Sequence, residues 1–138
     1  MHHLRKTHKR YRSYPKPDGC PFCNPAIEEE IIHMGKHAYV VPNRTFYDIW
    51  ELRKVVDHVL VVPKRHVASF AELPAADLKE IIDLIADYEG KGYDVYARGG
   101  NNPMRSITGH QHTHLFKTEG KRGRLLFYLR KPYLVIRL

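Results

Sequence analysis

The amino-acid sequence predicts an α+β fold, an antiparallel sheet of about five strands with one main helix packed on it. Three observations carry this. Short segments rich in Val, Ile, Leu and Tyr recur along the chain and stop at Pro or Gly; a single segment has the apolar period of a long helix; and most connections between the strands are too short for parallel crossovers.

Taken in order, residues 1–19 contain Pro15 and Pro17 and lack apolar periodicity, so they read as a basic flexible arm, with the folded domain running from 20 to 138. "HAYVVPN" and "DHVLVVPKRH" are Val-rich and end at prolines, which marks strands, and "RTFYDIWE" between them is a weaker strand candidate. "PAADLKEIIDLIADYEGKG" places Pro74 in a first turn, spaces Leu78, Ile81, Ile82, Ile85 and Tyr88 as one helical stripe, and ends in glycines. "YDVYAR" alternates like a strand and "GGNNP" is a turn. "TGHQHTHLF" follows as the next strand, and "RLLFYLR" and "PYLVIRL" supply one or two more.

The net charge of +8 is concentrated at the ends. Residues 1–19 hold six Lys/Arg against one acid and residues 117–138 seven against one, whereas residues 20–116 hold ten against thirteen. A polyanion such as nucleic acid would therefore meet the ends, while the middle is not a uniformly basic nucleic-acid-binding domain. No apolar run approaches the roughly 20 residues needed to span a bilayer, and no apolar segment follows the N-terminal charges as in a signal peptide. The expected location is cytoplasmic, with no membrane partner. Two cysteines are too few for a disulfide framework, so Cys20-Pro21-Phe22-Cys23 reads as a metal half-site, a redox pair or two buried thiols.

Three histidines alternate in "HQHTH". On a strand, the side-chain period of two sends His110, His112 and His114 to one face with Cβ atoms about 7 Å apart, which makes one shared site. A Cys₂His₂ zinc centre would need two histidines beside apolar strands, and His66 and His110 are so placed.

"HVLVVPKRH", then a helix, a strand, a turn and "HQHTH", resembles the histidine triad (HIT) superfamily over about Cys20 to Phe116, and the Cys-x-x-Cys resembles its zinc-bearing branch. That resemblance implies a HIT-like fold and a structural zinc held by Cys20, Cys23, His66 and His110. It makes His112 the nucleophile that attacks phosphorus and His114 the donor to the phosphoryl oxygens. It nominates Asp48 for the ribose hydroxyls, His58 for shaping the site and Asn101 and Asn102 for a phosphate-loop amide. Ser106 and Thr108 flank Ile107, which stands where the family has a leaving-group donor. A turn aspartate, a core histidine and turn asparagines are the plain alternatives.

The resemblance also implies a homodimeric nucleotide-binding phosphohydrolase. It would act on a purine nucleotide or nucleotide conjugate, such as a nucleoside phosphoramidate or dinucleoside polyphosphate, through a nucleotidyl-histidine intermediate. A nucleotidyltransferase, a nucleotide- or nucleic-acid-binding module and a catalytic-metal hydrolase are the competing readings. Gln111 and Thr113 depart from the family's apolar residues beneath the histidines, so that face is expected to be wetter or covered by something polar.

Overall fold

A computed structural model describes residues 5–13, 18–45, 47–100, 102–122, 125–128 and 133–136. Its helices are α1 (Arg5–Ser13) and α2 (Ala75–Glu89), and its strands are β1 (His33–Met34), β2 (Ala38–Pro42), β3 (Ile49–Trp50), β4 (Arg53–Pro63), β5 (Asp94–Ala97), β6 (Thr113–Glu119), β7 (Leu125–Tyr128) and β8 (Tyr133–Ile136). Short 3₁₀ helices span Pro25–Glu30 and Phe70–Glu72. Six strands form one sheet in the order β1-β2-β4-β6-β5, with β3 also paired to β4. The fold class is the antiparallel α+β arrangement expected from the sequence.

Contacts gather the chain into two units, of which residues 17–42 with 59–115 form the first. Here β2 pairs antiparallel with β4, Val40 opposite Val61 and Val41 opposite Leu60. Alternation then sends Ala38, Val40, Val59 and Val61 to one face, where Ile81 and Leu115 complete a core beneath α2. The other face carries Tyr39, Val41, Leu60 and Val62, and it is covered by Phe22, Cys20, Ile27 and Ile31 from the segment ahead of β1. Burial on both faces is why β2 and β4 read as continuous apolar runs. Each fully buried valine or isoleucine contributes about 1.5–3 kcal/mol relative to exposure.

The α2 stripe differs at one position. Leu78, Ile81, Leu84, Ile85 and Tyr88 meet the core, but Ile82 is 59% exposed. Ile82 lies about 100° round the helix from Ile81, beyond the edge of the stripe that Ile81 centres. Glu80 of α2 accepts from the backbone N–H groups of His37 and Ala38 at 3.0–3.2 Å and so ties the helix to the start of β2. A Cβ on Gly35 would lie 2.9 Å from the Ala38 carbonyl oxygen, which leaves room only for glycine in that turn.

The second unit takes residues 1–16, 43–58 and 116–138. β3 and the start of β4 make a hairpin, Trp50 opposite Arg53, whose two loop residues have positive φ, Glu51 at 45° and Leu52 at 63°. That is the primed turn a two-residue hairpin needs, built from residues that adopt it at a cost. Tyr47, Trp50, His58 and Phe116 stack into one aromatic cluster. β7 and β8 pair with each other as a separate two-stranded sheet.

Two readings of local structure change. Residues 5–13, within the arm, form α1, although no apolar stripe announces it. The histidine strand, read from Thr108, begins at Thr113, so His110 and His112 precede the ladder and only His114 lies in it. The cause is local, because the Gln111 N–H bonds the Val67 carbonyl at 2.6 Å and the His112 ring bonds the His110 carbonyl.

Candidate functional site

Cys20 and Cys23 lie in a tight turn closed by the Cys23 N–H on the Cys20 carbonyl at 3.1 Å, after which Asn24 caps the first 3₁₀ helix. The turn points both sulfurs one way. His66 follows the end of β4, and His110 lies just before β6. The ligand atoms of these four residues all fall within 4.8 Å of one another, close enough to hold a metal ion. Nδ1 of His110 is 3.3 Å from Cys20 Sγ and 3.5 Å from Cys23 Sγ, and Nδ1 of His66 is 3.2 Å from Cys23 Sγ.

A tetrahedral zinc with thiolate and imidazole ligands would keep its sulfur and nitrogen atoms about 3.5 Å apart, so the spacing and the soft donor set both fit. The imidazole tautomer fits as well. Nε2 of His110 lies 2.8 Å from the Pro63 carbonyl oxygen, an atom that can only accept, so Nε2 carries the proton and Nδ1 offers a lone pair to the centre. Burial lowers the pKa of His110, with the charges of His66 and Arg105 acting in the same direction. Burial, then the hydrogen bond and charge of Cys20, raises the pKa of the Cys23 thiol, as expected for two crowded sulfurs that a cation would relieve.

Beside this group, His112 Nδ1 lies 2.9 Å from the His110 carbonyl oxygen. The carbonyl accepts, so Nδ1–H donates, and Nε2 is left with the bare lone pair. Burial lowers the pKa of His112; the bond to the His110 carbonyl acts against it, and the nearby Arg105 charge acts with it, so the net shift is downward and favours the neutral imidazole. His114 sets its ring 5.0 Å from that of His112 in an edge-on arrangement, and its other side faces Tyr96 at 6.1 Å. A neutral imidazole with one committed nitrogen, next to a second imidazole, is equipped for nucleophilic attack.

Two residues that the sequence reading left without a role complete this environment. Phe22, between the two cysteines and 7% exposed, touches the His110 ring at 5.5 Å and the His112 ring at 5.2 Å. Arg105, 5% exposed, donates to the carbonyls of Ala68 and His110 and to Gln111 Oε1 at 2.7–2.8 Å, and to the Gly100 carbonyl at 3.3 Å. Arg105 is the polar cover foreshadowed by Gln111. Thr113 has no such partner; its buried Oγ1 is unbonded among the described residues. The signal for Arg105 was indirect, a glutamine on an inward face that needs a donor.

The remaining nominated residues are dispersed. Ser106 and Thr108 are exposed and line a cavity of about 310 Å³ together with Cys20, His66 and His110, on the side of the cysteine–histidine group. Asn102 is a turn residue, its Oδ1 accepting from the Met104 N–H at 2.9 Å, and Asn101 lies outside the described residues. In the second unit, the Asp48 carboxylate accepts from the Thr7 hydroxyl of α1 at 2.8 Å. His58 is 2% exposed; its Nδ1 accepts from the Tyr47 N–H at 3.1 Å, and the Asn43 amide lies 3.2 Å from its Nε2.

No family model matches the chain. No curated protein sequence matches it either. Solved structures do. A histidine triad nucleotide-binding protein from Candida albicans superposes with a TM-score of 0.57 at 19% identity, covering 83% of this chain and 85% of that one. A histidine triad protein from Clostridium difficile gives 0.55 at 20% identity, covering 78% and 96%. A diadenosine triphosphate hydrolase from Plasmodium falciparum gives 0.51 at 11% identity, covering 83% and 80%. The chain therefore has the fold of the histidine triad proteins, as its motifs led one to expect.

Proposed function

We propose that this protein is a nucleotide phosphohydrolase of the histidine triad type that works through a nucleotidyl-His112 intermediate. The observation that carries the reading is the bond from His112 Nδ1–H to the His110 carbonyl, which leaves Nε2 as the free nucleophilic nitrogen beside a second imidazole. Nε2 attacks the α-phosphorus of a purine nucleotide conjugate; a P–N bond forms, and the bond to the leaving group breaks with its electron pair. Water then attacks phosphorus, the P–N bond breaks, and the imidazole returns with its lone pair. His114 donates to the phosphoryl oxygens as charge builds there. Ser106 or Thr108 would supply a hydrogen bond to the departing group, Asn101 or Asn102 an amide to the phosphate, and Asp48 and His58 would hold and shape the nucleoside side. A nucleoside phosphoramidate or a dinucleoside polyphosphate is the substrate class this chemistry suits.

Cys20, Cys23, His66 and His110 would hold a zinc ion, which supplies structural cross-linking and no bond-breaking chemistry. His110 reaches that centre with its side chain and orients His112 with its carbonyl, so one residue serves both. The domain is read as residues 20–138, active as a homodimer in the cytoplasm, with the basic arm and tail meeting nucleic acid. Among the described residues no helix is long and apolar enough to cross a membrane.

Metal stoichiometry and turnover measured on His110→Ala and His112→Ala test the assignment. His110→Ala loses zinc, whereas His112→Ala keeps its zinc and loses turnover. Loss of metal from both variants would instead mark a catalytic metal site.

A further inference from the structure

Arg105 is a buried cation whose described partners are all neutral. Its guanidinium meets three backbone carbonyls and one amide oxygen, with no carboxylate among its described hydrogen bonds or ion pairs. Taking a guanidinium out of water is costly, and such a group normally has an acid beside it. The bonds also join segments far apart in sequence: Ala68 after β4, Gly100 after β5, and the His110-Gln111 pair that leads into β6. One of these acceptors matters most. The His110 carbonyl oxygen receives Arg105 Nη2 at 2.8 Å and His112 Nδ1 at 2.9 Å, so both its lone pairs are used and its direction is set from two sides.

We infer that Arg105 is the positioning residue for His112: by clamping the His110 carbonyl it holds the imidazole in one orientation and one tautomer, with Nε2 presented to phosphorus. The planar fork is essential. One nitrogen spans His110 O and Gln111 Oε1 while the other spans Ala68 O and Gly100 O, an arrangement that a single ammonium cannot reproduce. An arginine was therefore needed, and its charge is met by four hydrogen bonds from its two terminal nitrogens to fixed carbonyl and amide dipoles. The catalytic consequence rests on the nucleotidyl-histidine reading; the tautomer and its protection do not.

The test has two arms. In the first, ¹⁵N NMR of the zinc-loaded wild-type protein reports which His112 nitrogen carries the proton and how fast it exchanges. We expect protonated Nδ1 with slow exchange, and a proton on Nε2 would overturn the inference without any variant. In the second, Arg105→Met and Arg105→Lys are compared at equal zinc content. Both should lose Nδ1–H protection and lower kcat by about a hundredfold with KM unchanged, the scale on which a misplaced reacting group slows a reaction. Added guanidinium ion should restore part of the rate to Arg105→Ala. Unchanged Nδ1–H protection in folded Arg105→Met, or full activity in Arg105→Lys, would refute the positioning role. A wild-type protein that turns over no nucleotide but shows the protected Nδ1–H would remove the proposed function and leave the clamp standing.

Discussion

Replacement of Phe22 probes the link between the Cys20–Cys23 turn and His112, the proposed nucleophile. The ring is 7% exposed, lies against both His110 and His112, and its residue's carbonyl accepts from the buried Tyr39 hydroxyl at 2.8 Å. A buried phenylalanine removes roughly 150–250 Å² from water, which at about 25 cal/mol/Å² is worth about 4–6 kcal/mol as an upper bound. Truncation to alanine in measured cores costs about 3–5 kcal/mol, so the Tm of Phe22→Ala should fall by about 10–20 °C for a domain of this size. The four candidate ligands are untouched, so zinc content of the folded variant should stay at the wild-type value. Phe22→Leu keeps most of the volume but not the flat ring against His112, and should fall in kcat more than in stability. Thermal unfolding, metal analysis and steady-state kinetics on the zinc-loaded proteins measure all three. A Phe22→Ala protein with wild-type Tm would refute the packing argument, and a Phe22→Leu protein with wild-type kcat and lowered zinc would show that the ring supports the cysteine turn and not His112.

Two further substitutions bear on the surroundings of the site. Thr113→Val removes a buried hydroxyl that has no hydrogen-bond partner among the described residues, and should raise stability by about 1 kcal/mol, read as a higher denaturant midpoint with unchanged m value. Asp77, 1% exposed, accepts from Arg65 Nε at 2.7 Å and lies 3.1 Å from His37 Nδ1, and Arg65 is the neighbour of His66. Asp77→Asn weakens that hold on the segment carrying the candidate ligand His66 and should lower metal affinity less than loss of a group bonded directly to a ligand would, a decrease read in a competition titration with a chromophoric chelator.

What could be read from the chain and what could not divide along a physical line. Cys20-x-x-Cys23 and the alternating histidines were legible because their relative placement is set by a few covalent bonds, and α2 because its stripe repeats at helical spacing. The doubly covered strands β2 and β4 were legible as runs of valine ended by proline. The start of β6 was misplaced because alternation in sequence persists through Gln111 and His112 even where the backbone bonds Val67 instead of a ladder partner. α1 has no apolar stripe to announce it. Arg105 was hidden for a stronger reason, since nothing local marks a cation as buried; its partners come from residues 68, 100, 110 and 111 and exist only once the chain has folded. Phe22 was hidden between two residues whose chemistry drew attention away from it.

If His112 becomes covalently bonded to the nucleotide during turnover, that species can be trapped. The zinc-loaded protein would be mixed with adenosine phosphoramidate or a dinucleoside polyphosphate and quenched within one turnover under alkaline denaturing conditions, because the imidazole P–N bond is acid-labile. Mass spectrometry of the intact chain and its peptides would follow. The expected result is a mass increase equal to one nucleotidyl group, carried by the peptide spanning His112 and absent from His112→Ala. Turnover with no adduct, an adduct placed on His110 or His114, or a His112→Ala protein that turns over nucleotide at the parental rate would contradict it.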